Sequence, residues 1–121
     1  MLEAGERLER NALAGCIRYP GLLPLLAELT PDHFDADTHR QLRTHLVDGG
    51  EPPAELVPLV AELDARAEAE QIDEQTAKEL LLRLTERGLR RELAQTNGDL
   101  TRTKELQEKL ERVRKALDGL T

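Results

Sequence analysis

Three histidines, His33, His39 and His45, share one short stretch of the chain. Imidazoles so placed could hold a metal ion or move protons. Ligands on one helical face, however, need offsets of three or four residues, and these are spaced by six and six. Within an ordinary offset only Asp35 and His39 suggest a pair, and that spacing is the spacing of a local hydrogen bond. Cys16 has no base beside it and sits in an apolar stretch, where a thiol serves as a small hydrophobe. A lone cysteine also excludes an internal disulfide and any multi-cysteine zinc site. Serine is absent, so serine-based nucleophilic catalysis is excluded. Gly49-Gly50 is followed by Glu51 and two prolines without Lys-Ser or Lys-Thr, so it is no phosphate loop. The many carboxylates fall on expected outer faces in mixed-charge company, the pattern of a solvated surface. One Phe, one Tyr and no Trp provide no platform for stacking nucleobases. These residues lead to the expectation of no catalytic centre, no cofactor and no metal.

The pattern that remains belongs to partner binding. Leu106, Leu110, Val113, Leu117 and Leu120 recur at spacings of four and three, a seam of coiled-coil type. Lys109, Arg112 and Lys115 accompany it. A two-helix arm exposes more apolar edge than it hides, so the seam is expected to remain reachable from outside. Leu106, Leu110, Val113 and Leu117 are then candidate anchors for a partner, and Lys109, Arg112 and Lys115 would steer its approach. Residues 100–121 carry six basic side chains against four acidic ones, while the remainder carries a net −9. The overall charge of −7 argues against a domain built to grip nucleic acid.

At 121 residues the chain has room for one domain, with a short appendage at most. Ala, Leu, Glu, Arg and Gln dominate, and no long run alternates apolar and polar residues, so the fold class is all-α. A first helix is expected over residues 2–18, with Leu8, Ala12, Leu13, Cys16 and Ile17 inward and Glu6, Arg7, Glu9 and Arg10 mostly outward. Tyr19-Pro20-Gly21 stops it. Residues 22–29 read as a short helix buried nearly all round. Thr30-Pro31-Asp32 starts a single turn that carries Phe34 into the core. Asp35 or Asp37 should cap a helix running to about Val47, with Leu42, Leu46 and the stem of His39 inward. A helix within residues 53–70 should begin near Glu55, which places Pro58 in the first turn, where no donor is missed. Asp73 should cap a last stretch whose leucines, Leu80, Leu81, Leu82 and Leu84, cover too much of the surface to be one-sided. Thr96-Asn97-Gly98-Asp99 signals a turn. The expected architecture is a compact bundle over residues 1–80, then a long helix bent into a C-terminal hairpin over 81–121. One continuous long helix is the alternative.

Charged residues begin at Glu3, with no basic stretch and apolar run after Met1, and no apolar run approaches the length of a membrane span, so a cytoplasmic protein free of membrane is expected.

The residues also resemble a known pattern. Glu9-Arg10-Asn11-Ala12-Leu13, Tyr19-Pro20 with Leu22-Leu23, Leu29-Thr30-Pro31-Asp32-His33-Phe34 and Thr38-His39-Arg40-Gln41-Leu42 occur in the order and spacing of two related helical domains of bacterial replication. One is the C-terminal helicase-binding domain of bacterial primase, and the other is the N-terminal domain of the replicative helicase. The shared pattern spans roughly residues 8–46. Glu70-Gln71-Ile72-Asp73 leads straight into the leucines from Leu80 to Leu93, which looks like the long connecting helix of the primase domain. Residues 104–117 look like the end of its helical hairpin, although the stretch between Leu93 and Leu106 is shorter than usual. The resemblance implies a non-catalytic piece of a larger primer-synthesising enzyme. It would dock as a monomer onto the replicative helicase hexamer, with no direct contact to nucleic acid. The helicase's own N-terminal domain and a stand-alone helical adaptor are the alternatives.

Overall fold

The computed structural model describes residues 4–96 and 98–120. Among them the chain forms six α-helices and three single 3-10 turns, with no strand. Helix α1 (Ala4–Arg18) runs through the middle and packs on α3 (Asp37–Asp48), α4 (Val57–Ala69) and α5 (Glu74–Gln95). Helix α2 (Leu23–Ala27) lies against α3, and α6 (Leu100–Asp118) returns antiparallel along α5. The return spans the full length of α5, because Gln75 Nε2 donates to the carbonyl of Leu120 at 2.9 Å.

Local chemistry explains the element ends. Tyr19 leaves the helical region ahead of Pro20, which opens a 3-10 turn, Pro20–Leu22. Pro58 lies in the first turn of α4, behind the 3-10 turn Ala54–Leu56, as the preference for a late start required. Asp73 caps α5, accepting from the Thr76 amide at 2.7 Å, and Asp99 caps α6, accepting from the Arg102 amide at 3.0 Å. Gly98 has φ +80, and the flanking Thr96 and Asp99 are extended, so α5 and α6 are two helices and not one. Asn97 lies outside the described residues.

Two core clusters result. The first takes Leu13, Cys16, Leu26, Leu29, Phe34, Leu42 and Leu63, and it continues beyond residue 80 to Leu81 and Leu84. The second consists of Leu89, Leu106 and Leu110, with Leu93 and Val113 against them. Helix α5 therefore serves both. Leu81 and Leu84 face the bundle, whereas Leu89 faces α6, which is why its leucines read as many-sided.

Two glycines let helices touch. A Cβ on Gly15 of α1 would fall 2.4 Å from Cβ of Ala77, and one on Gly88 of α5 would fall 2.4 Å from Cδ2 of His33. Neither position accommodates a side chain without a shift.

Several expectations fail for identifiable reasons. The segment 22–29 is not enclosed all round: Leu22, Leu26 and Leu29 are buried, but Leu23 and Leu25 are half-exposed, because α2 is a five-residue helix on the bundle edge. Neither Asp35 nor Asp37 caps α3. Its cap is Ala36, without a side-chain bond, and the Asp35 carboxylate turns instead to Arg91. Glu9 points inward, only 1% exposed.

Candidate functional site

Helix α6 carries every residue expected to meet a partner. Its seam follows from leucines at heptad spacing, and these turn toward α5. Leu106 and Leu110, expected to stay reachable, are instead buried, at 0% and 6% exposure. Leu89 and Leu93 of α5 offer them an apolar counterpart closer than any partner could be. Val113 and Leu117 are half-buried, and Lys109, Arg112 and Lys115 are exposed on the outer side. Lys115 stands 3.9 Å from Glu111, and Arg114 reaches back to Glu86 at 3.7 Å, an exposed fringe that contributes little to stability. The face that α6 offers outward is thus a mixed-charge rim, Lys109, Arg112 and Lys115 among the exposed Glu105, Glu108 and Glu111, beside two partly covered apolar side chains. Its exposed groups are charged side chains and apolar carbon, the groups that make ion pairs and apolar contacts.

Beneath the bundle surface lies a polar network that composition did not announce. Glu9 Oε1 accepts from His39 Nδ1 at 2.8 Å, and Glu9 Oε2 accepts from Arg87 Nη2 at 2.6 Å. The same carboxylate accepts the Asp35 amide at 3.1 Å, so it satisfies the chain that leads into α3. Burial alone would push the Glu9 carboxyl up. The hydrogen bonds from His39, Arg87 and Asp35, with the charge of Arg87, outweigh it and bring the pKa down to about 2. Arg87 also donates to the His33 carbonyl at 2.8 Å, and Arg91 holds Asp35 through two bonds, at 2.7 and 3.2 Å. Its bond to Asp35 raises the pKa of Arg91.

The network reaches α6 through Glu92. His33 Nε2 donates to Glu92 Oε1 at 3.0 Å, and Arg102 Nη2 of α6 donates to Glu92 Oε2 at 2.8 Å. His33 is thus a structural donor, and His39 is drawn to Glu9 and not to Asp35. Burial pushes the Cys16 thiol up to about 12, which keeps it protonated and unreactive. Among the described residues no three of His, Cys, Asp and Glu are grouped to hold a metal ion. Beside α3 an open groove of about 500 Å³ is lined by Arg40, His45, Asp48 and Leu56 among others. No helix among the described residues is long and apolar enough to cross a membrane.

Sequence spacing contained part of this network. Glu9 stands three, four and seven residues before Ala12, Leu13 and Cys16, on the face that goes inward. Its charge led to the opposite assignment. Comparison with protein-family models, curated proteins and solved structures found no match to the chain.

Proposed function

We propose that this chain is a helicase-binding domain of a bacterial primase, which holds primer synthesis at the replication fork by docking onto the replicative helicase ring. The observation that carries the reading is the convergence of the residues of the resembled pattern. Glu9, Leu13, Leu22, Phe34, His39 and Leu42 are all buried in one bundle, and Glu9 bonds His39 directly. Residues spread over roughly 35 positions thus act together as the determinant of one fold, which gives the pattern a physical basis. The choice of the primase domain over the helicase domain is supported by α5. This helix follows α4 after four residues and runs unbroken from the main core into the hairpin.

In this reading the chain has no catalytic role, works in the cytoplasm, and is monomeric until it meets the helicase. The docking face comprises Val113 and Leu117 with Lys109, Arg112 and Lys115, while Leu106 and Leu110 hold α6 in place to present it. The test is size-exclusion chromatography with light scattering on the chain mixed with the replicative helicase of the same organism. Co-migration at micromolar concentration is the expected result, and separate elution would reject the reading.

A further inference from the structure

Glu92 occupies an unfavourable position for a carboxylate. It lies in the last turn of α5, beside the negative end of the helix dipole, where cations are favoured and acids are not. Two donors from different parts of the molecule hold it there. His33 belongs to the 3-10 turn Pro31–His33 of the bundle, and Arg102 to the first turn of α6. The His33 side is rigid: its ring lies against Gly88 and its carbonyl accepts Arg87. The ring is buried, and its Nδ1 has no partner among the described residues, so Glu92 is the sole bonded anchor of the imidazole there. The Arg102 side belongs to a helix that packs chiefly on α5 over a small core.

We infer that Glu92 is a positioning residue that couples the Pro31–His33 turn to the first turn of α6, so that release of one loosens the other. Each donor orders the Glu92 side chain, and the second donor then binds a carboxylate whose rotamer freedom is already lost. That makes the two contacts cooperative although His33 and Arg102 share no bond. The hairpin and the bundle loop behave as one element, and displacement of α6 is felt at the His33 turn whatever causes it. The coupling is a property of the free chain and does not rest on the identity of any partner.

Native-state amide hydrogen exchange on the full chain tests this. The reporters are the His33 and Phe34 amides, which bond to the carbonyls of Thr30 and Pro31, and the Thr103 amide, which bonds to the carbonyl of Asp99. Arg102→Gln changes a half-exposed side chain in α6 and touches neither loop amide. It is expected to speed exchange at His33 and Phe34 at least threefold. In a Glu92→Ala background the same substitution should leave those amides unchanged, because the coupling residue is already gone. Unaltered loop exchange in Arg102→Gln would overturn the inference. So would an equal acceleration in the Glu92→Ala background, which would show that any coupling runs through the apolar contacts and not through Glu92.

Discussion

Glu9 is where a single side chain decides most. A buried carboxylate with three kinds of donor is worth keeping only while all are present, since removing one partner of such a group leaves the others unsatisfied. Its pKa of about 2 lies well below the ordinary glutamate value, so the folded state binds the proton less readily than the unfolded chain. The stability from this site is complete above the unfolded pKa and is lost as pH falls toward 2. Over that window the loss amounts to roughly 3 kcal/mol. Urea titrations of the wild type and of Glu9→Gln between pH 7 and 2.5 check this. The variant should be less stable by about 3 kcal/mol at neutral pH and should lose less on acidification. Parallel pH dependence in the two proteins would show that Glu9 is not the group responsible. The sequence disclosed where Glu9 stands on its helix but not what it meets. Its partners lie 30 and 78 positions away, and a charge with distant partners cannot be told from a solvated one by local pattern.

At the scale of elements, turn chemistry was the most legible. Asp73, Pro58 and the Gly98 turn act where their types require, because capping and φ preferences are local effects. Helix faces were less legible where one helix serves two cores, as α5 does, since periodicity shows that a surface is apolar and not which neighbour covers it. The α6 seam illustrates the point: Leu106 and Leu110 look like exposed anchors until α5 is seen to present Leu89 and Leu93 opposite. Contacts between helices escaped the sequence altogether at Gly15, whose bare backbone meets Ala77. Gly15→Ala should raise intrinsic helix propensity by about 1 kcal/mol, yet overpacking should cost about 1–3 kcal/mol. Thermal unfolding by circular dichroism is expected to show a lower midpoint. A higher one would mean that α1 and α5 part without penalty. In α6, Leu106→Ala removes a fully buried side chain from a core of few residues, at a cost of about 2–5 kcal/mol that falls mainly on the attachment of α6. Hydrogen exchange should then report loss of protection in α6, with the amides of α1 and α4 still protected. Loss of protection throughout would make the two cores a single cooperative unit.

For the whole molecule, the arrangement separates holding from presenting. The acidic bundle fixes α5, the Leu89, Leu106 and Leu110 cluster fixes α6 to it, and α6 turns its charged side outward. Under the proposed function, binding would fall to Val113 and Leu117 and steering to Lys109, Arg112 and Lys115. Apolar burial of one side chain at an interface contributes roughly 1.5–3 kcal/mol, and an exposed ion pair roughly 0–1 kcal/mol. Apolar changes should therefore dominate affinity, and the basic residues should show their effect in association rate and salt dependence. The most direct measurement is a fluorescence anisotropy titration of the labelled chain with replicative helicase rings, beside the double variant Val113→Ala with Leu117→Ala. Circular dichroism on the same samples confirms that both are folded. The expected result is saturable binding in the micromolar range for the wild type, at least tenfold weaker in the folded variant. Absence of wild-type binding at these concentrations would contradict the proposed function, and equal affinity in the two proteins would contradict the placement of its docking face on α6.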